Sequence, residues 1–100
     1  MAEWLCIIRP HRDDFAATMT DVEKEAWGRH ADRLAAGVDD GTVLLAGPTL
    51  GRVNLGVMVF EAEDEAAARA FVEADPTVAE GHVTPELYPF RASFVRRNPR

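Results

Sequence analysis

Apolar residues recur along this chain with two distinct periods, and the alternation between them lays out its elements. Trp4-Leu5-Cys6-Ile7-Ile8-Arg9 is a short apolar run stopped by Pro10, which predicts a strand with both faces apolar: Trp4, Cys6 and Ile8 on one, Leu5 and Ile7 on the other. From Pro10 to Met19 the pattern is polar and aperiodic around His11-Arg12-Asp13-Asp14, which predicts a connecting loop. Thr20-Asp21-Val22-Glu23 then has the Thr-x-x-Glu form of a capping box, so a helix is expected from Asp21 to Gly37 or Val38. Its apolar stripe reads Trp27, His30, Ala31, Leu34, Ala35 and Val38, with Arg29, Asp32, Arg33 and Ala36 off it. Gly28 interrupts the helix either for a close approach or through loose packing. Asp39-Asp40-Gly41 is a turn, and Thr42–Ala46 a second strand ended by Gly47-Pro48. Thr49–Asn54 is a loop, and Leu55–Phe60 a third strand. An alanine-rich helix follows from Glu63 to near Ala74, then one helical turn opened by Pro76. A last strand is expected over Leu87–Val95, with Tyr88, Phe90 and Phe94 on one face.

The order strand, helix, strand, strand, helix, strand predicts an α+β, ferredoxin-like βαββαβ fold, with a four-stranded antiparallel sheet and both helices on one side. Two helices cover one sheet face, yet the strands are apolar on both. The uncovered face predicts a homodimer through the sheet, isologous by symmetry. One hundred residues without repeat or low-complexity segment make a single domain over 1–100, whose last ten residues include the end of the final strand and a frayed basic tail, Arg96-Arg97 with Arg100.

Charge narrows the partners. A net charge of −6 without a basic patch argues against nucleic acid and against anionic membrane surfaces. Cys6 is the lone cysteine, which fits a reducing compartment, and no signal or membrane span is recognisable, so the expected location is cytoplasmic. His11, His30 and His82 have no metal-ligand spacing, and there is no phosphate loop, nucleophile elbow or flavin or nicotinamide fingerprint. The expectation is a site with neither metal nor cofactor, taking a small-molecule ligand.

His30 is the residue with most chemistry to offer, a titratable ring on a face meant for a core or cavity; it is either a general acid/base or a core histidine bonded to a carbonyl. Asp75, directly before a proline that opens a helical turn, has the makings of an N-cap. Arg9, at the end of the first strand, is a candidate to hold an anionic substrate, or else a solvent-facing ion pair. Tyr88 is a candidate donor to a bound intermediate, or else part of an interface. Trp27 and Phe71 read as core rather than ligand cage, and Cys6 as a small buried hydrophobe.

Arg29-His30-Ala31-Asp32-Arg33-Leu34, Gly41-Thr42-Val43-Leu44-Leu45-Ala46-Gly47-Pro48, Ala74-Asp75-Pro76-Thr77-Val78-Ala79-Glu80-Gly81 and Pro89-Phe90 occur in this order between about Trp27 and Val95. They resemble the motifs of the YCII-related (YciI-like) proteins. The resemblance implies a dimeric α+β barrel, the fold of muconolactone isomerase-like enzymes and small monooxygenases. It also implies an active-site pair, here His30 and Asp75, with the carboxylate fixing the ring's tautomer. Few members have a known substrate, and some resemble dehydrochlorinases or other lyase-type enzymes acting on aromatic breakdown products. The expected function is a small cofactor-independent enzyme of lyase, isomerase or dehydrohalogenase type. The alternatives are a non-catalytic small-molecule-binding or accessory domain and, more weakly, a cofactor-free monooxygenase.

Overall fold

A computed structural model describes residues 1–96 of the chain. Strand β1 (Ala2–Pro10) buries Trp4, Cys6 and Ile8 on one face and leaves Leu5 and Ile7 half-buried on the other. It pairs antiparallel with β3 (Gly56–Ala62) on one side and with β4 (Val83–Phe90) on the other; β2 (Val43–Pro48) adds to the outer side of β3. The order β2-β3-β1-β4 is the ferredoxin-like sheet expected from the element order.

The long helix α2 (Asp21–Asp40) starts on the expected capping box: Thr20 Oγ1 accepts from the Glu23 amide at 3.2 Å, and the Glu23 carboxylate accepts from the Thr20 amide at 2.8 Å. It ends on Gly41 at φ 87°, a left-handed position that suits glycine, so the helix runs past Val38 to Asp40. Helix α3 (Glu65–Glu73) is capped by Asp64, whose side chain accepts from the Ala67 amide at 2.8 Å. The short α4 (Pro76–Ala79) is capped by Asp75. The helices pack on the Trp4–Cys6–Ile8 face, around a core that includes Phe60, Ala68, Val72 and Val83. Phe60 is fully buried and stacks on Phe71 at 4.8 Å between ring centres.

Four expectations are corrected. The segment expected to be loop continues β1 to Pro10 and then forms a helical turn, α1 (Phe15–Thr18), whose Phe15 is buried against Trp27 at 4.9 Å. Arg12 ties this turn down: its guanidinium reaches both Glu23 oxygens at 2.8 and 3.0 Å and the Thr18 carbonyl at 2.8 Å. The guanidinium's hydrogen bond, with that of the Thr20 amide, holds the Glu23 carboxyl down to about 2.

The buried stripe of α2 lies one residue earlier than the predicted one. Ala26 and Gly37 are buried and Trp27, His30, Arg33 and Leu34 half-buried, whereas Ala31, Ala35 and Val38 are exposed. Arg33, expected to lie off the stripe, is therefore turned inward. Strand β3 runs to Ala62, beyond Phe60. Strand β4 starts at Val83 and stops at Phe90, so residues 91–96 are not strand, and Phe94 is 99% exposed rather than aligned with Tyr88 and Phe90. Of the basic tail, Arg97 and Arg100 lie outside the described residues.

The two glycines of α2 face different surroundings. A methyl group at Gly28 would meet nothing within 4 Å, so no close approach explains that glycine. A Cβ at Gly37 would lie 2.6 Å from Val43 Cγ2, and Val43 is a buried, β-branched side chain with little freedom to move. Gly28→Ala is therefore expected to stabilise the fold by about 0.5–1 kcal/mol. Gly37→Val should destabilise it by roughly 1–3 kcal/mol through overpacking at the α2–β2 contact. Urea unfolding of the two variants checks both signs.

Candidate active site

Asp75 is placed by local chemistry before it meets any other element. As N-cap of α4 it takes an extended backbone (φ −66°, ψ 134°), and its Oδ1 accepts from the Thr77 amide at 2.9 Å and the Thr77 hydroxyl at 2.6 Å. That leaves Oδ2, which faces α2 and accepts from His30 Nδ1 at 2.7 Å. The aspartate is a carboxylate flanked by donors, so Nδ1 carries the proton. The neutral ring's open nitrogen is then Nε2, which makes no hydrogen bond among the described residues. The two readings of Asp75, cap and histidine partner, are both realised, one on each oxygen.

Burial pushes the Asp75 carboxyl up, but the hydrogen bonds from His30 and Thr77 outweigh it and hold the group below its ordinary value of 3.8. Arg33 stands behind the pair. Its NH1 is 3.6 Å from Asp75 Oδ2, its NH2 donates to the Phe71 carbonyl at 2.6 Å, and its guanidinium lies 4.2 Å over the Phe71 ring. NH1 is buried and, among the described residues, without a hydrogen-bond partner. Period counting misses this residue because a charged side chain scores as solvent-facing; the signal for it is its position three residues after His30, on the same helix face.

His30 and Asp75 stand on the wall of a cavity of about 460 Å³ between the sheet, α1 and α2. The wall is mainly apolar, with Ile8, Phe15, Trp27, Leu34 and Met58 among its residues. Trp27 and Phe71, expected to be core, both pack against it, and Trp27 also forms a wall of this cavity, its ring 5.4 Å from that of His30. Cys6 is also on the wall; burial first, then the charges of Asp75 and Glu86, push its thiol up to about 11, so it stays protonated at neutral pH and is not a nucleophile.

Arg9 and Tyr88 do not join this site. The strand register puts both on the opposite sheet face, where Arg9 pairs with Glu86 at 2.8 Å and the Tyr88 hydroxyl donates to Glu86 at 3.1 Å. That parity keeps both side chains out of this cavity, since odd-numbered residues of β1 face away from it, and Arg9 takes its ion-pair alternative. Among the described residues no three His, Cys, Asp or Glu side chains converge as metal ligands, and no helix is long and apolar enough to cross a membrane.

Fold and site together define an α+β protein of ferredoxin-like topology, with a hydrogen-bonded histidine–aspartate pair facing an apolar cavity. The sequence profile of the YCII-related domain matches residues 2–91, and the chain belongs to that family. A search of curated proteins gives no match. Among solved structures the chain is similar to the 5-chloro-2-hydroxyhydroquinone dehydrochlorinase of Burkholderia phenoliruptrix AC1100 in complex with 2,5-dihydroxybenzoquinone. The TM-score is 0.65 at 21% identity, covering 88% of this chain and 93% of the other, a likeness of fold.

Because the folded Asp75 carboxyl lies below 3.8, its contribution to stability is full above that value and is lost as pH falls through the folded value. Thr77→Val removes one of the bonds that lowers it, so the acid loss should begin at higher pH than in the wild type. Thermal melting between pH 2 and 6 reads the difference, and superimposable acid limbs would refute the assignment.

Proposed function

We propose that this protein is a small enzyme that moves a proton on a ring-sized organic molecule, with His30 as the general acid/base and Asp75 holding it. The observation that carries this reading is the 2.7 Å Nδ1–Oδ2 bond, which commits one ring nitrogen and leaves the other for a bound molecule in an apolar cavity. A cavity of about 460 Å³ is within the range, about 300–1,000 Å³, of small-molecule sites. In an elimination, Nε2 takes a proton from the substrate, the freed electron pair forms the new double bond, and the leaving group departs with its own pair. In an isomerisation the same nitrogen returns the proton at a second position. The imidazolium formed midway is stabilised by Asp75, whose carboxylate the His30 and Thr77 hydrogen bonds hold ionised. The reading uses this chain's own groups alone, with no cofactor. The similar dehydrochlorinase supports a reaction on a ring compound, of the lyase, isomerase or dehydrohalogenase type.

We also propose that the protein works as a homodimer. Leu5, Ile7, Val57, Leu45, Tyr88 and Phe90 share the sheet face that bears no helix, with Leu45, Tyr88 and Phe90 exposed and the others half-buried, a contiguous apolar surface of the kind that favours association. A second copy placed sheet to sheet covers that face and leaves the cavity, on the helix side, open. Light scattering should then give twice the 11.0 kDa chain mass, and Ile7→Glu should return the single-chain mass. A wild type that stays monomeric at high micromolar concentration would refute it.

Proton transfer itself is tested by incubating the protein in D₂O with hydroxylated and chlorinated ring compounds, following deuterium uptake and halide release by NMR. His30→Asn is expected to lower turnover by about 10²–10⁴-fold with the circular dichroism spectrum unchanged. A ligand that binds yet is recovered unaltered would instead favour the non-catalytic binding domain.

A further inference from the structure

The carboxylate that holds His30 has a second cation beside it. Arg33 NH1 lies 3.6 Å from Asp75 Oδ2, the same oxygen that accepts from His30 Nδ1 at 2.7 Å. Contacts on another element keep the guanidinium there. Its NH2 donates to the Phe71 carbonyl at 2.6 Å, and its carbon lies 4.2 Å over the Phe71 ring, which stacks on the fully buried Phe60. Arg33 is also three residues after His30 on α2, so the two side chains are neighbours on one helix face as well as rivals for one oxygen.

The other charges on the surrounding elements are matched or distant from this oxygen. Arg29 on α2 pairs with Glu25 and with Glu80, the C-cap of α4, at 2.7 Å each, and His82 lies 3.6 Å from that same Glu80. On α3, Arg69 pairs with Glu65 at 3.0 Å and Glu73 is exposed. Cys6 on β1 stays a thiol at neutral pH, and Glu86 on β4 pairs with Arg9 on the far sheet face. Neither α1 nor β2 carries a titratable side chain. At the exposed mouth of the cavity, Asp13 pairs with Arg52 at 2.8 Å. Among the described residues, Arg33 is thus the one permanent cation within 4 Å of the Asp75 carboxylate.

We propose that Arg33 is a positioning residue that keeps His30 available as a base: by offsetting the charge of Asp75, it lets the carboxylate orient the ring without trapping it as the imidazolium. This deepens the proton-transfer reading above and rests on it for its purpose, though not for its test. An uncompensated carboxylate bonded to Nδ1 favours the protonated ring, and a ring already protonated has no lone pair with which to take a proton. A fixed guanidinium acts in the opposite sense twice over. It weakens the field of the carboxylate, and as a like charge one turn away it opposes a positive charge on the ring. Neither effect breaks the bond that sets the tautomer. Arginine suits the task because it stays charged across the working pH range.

Ring ionisation is read without any ligand, from the ¹⁵N NMR signals of the His30 imidazole, which separate the protonated ring from each neutral tautomer. Arg33→Met keeps an apolar stem against Phe71 and removes the charge. At a given pH within the titration, it is expected to raise the ratio of protonated to neutral His30 by about three- to tenfold. Arg33→Lys restores a charge and is expected to bring the ratio back toward the wild type. If Arg33 served only to pack α2 against α3, its loss would loosen the Asp75–His30 bond and lower the ratio or leave it unchanged. Either result overturns the proposal, as does a lysine variant whose ratio is as high as that of the methionine variant. Where circular dichroism shows Arg33→Met unfolded, Arg33→Gln is read in its place with the same outcomes. A raised ratio in a protein that turns nothing over leaves this inference standing and overturns the enzyme instead.

Discussion

One carboxylate joins the parts of this molecule that matter for chemistry. Asp75 Oδ1 closes the first turn of α4 through Thr77, and Oδ2 holds His30 in the middle of α2, 45 residues earlier in the chain. Neither task is unusual alone. Performed together, they make the helix cap a positioning device. The Thr77 bonds fix where the carboxylate stands, and that position fixes the tautomer of the imidazole. Thr77 is fully buried and Asp75 nearly so, which means the desolvation cost of the charge has to be met locally. Three donors and the nearby Arg33 guanidinium meet it. Removing any one partner leaves a buried carboxylate short of compensation, so the cap, the pair and the guanidinium behave as one network rather than as separable contacts.

The sheet beneath imposes the second constraint. Its central strands β1 and β3 are apolar on both faces, and the helices cover one. The covered face is not filled: Ile8 stands where a Cβ at Gly56 would lie 2.5 Å from its Cγ1, and both residues line the space between β3 and α2 that remains open as the cavity. A close-packed core around Phe60 beside this void is how a domain of 100 residues holds both a core and a cavity. The void sits beside the His30–Asp75 bond, and its walls are carried by regular elements except at the mouth.

Much of this was legible in the sequence because the signals were local. The Thr20–Glu23 capping box, the Asp75-Pro76 start of α4 and the strand–helix order depend on neighbours a few residues apart. His30 and Asp75 were named as a pair through resemblance, since no spacing rule links positions so far separated. What was missed depended on tertiary context. Phe15 is a lone apolar residue in a polar stretch, and only Trp27 across the gap makes its burial worthwhile. Arg33 counts as polar until Phe71 and Asp75 give its guanidinium a buried seat. Strand β4 begins at Val83, before the expected Leu87, and includes Pro85 and Pro89; it is an edge strand, paired only with β1, where a missing amide donor is tolerated. Arg9 and Tyr88 lie on the face away from the cavity, which the sequence does not decide: β1 is apolar on both faces, so alternation alone does not say which one the helices take.

The division between frame and mouth has a consequence for how such a site changes its ligand. His30 and Asp75 stand on α2 and the cap of α4, held by bonds of 2.6–2.9 Å among buried or half-buried groups. Asp13, Leu50 and Asn54 come from the segments after β1 and between β2 and β3, and Leu50 is 89% exposed. Substitutions on the frame disturb the buried network and cost stability. Substitutions at the mouth cost little, because exposed ion pairs such as Asp13–Arg52 contribute only about 0–1 kcal/mol. The polar groups at the mouth therefore sit where change is cheap, and the His30–Asp75 pair sits where it is not. A family built on this frame can keep the histidine–aspartate pair while its ligands diverge, which is why the pair is a firmer guide to the kind of chemistry than to the molecule on which it acts.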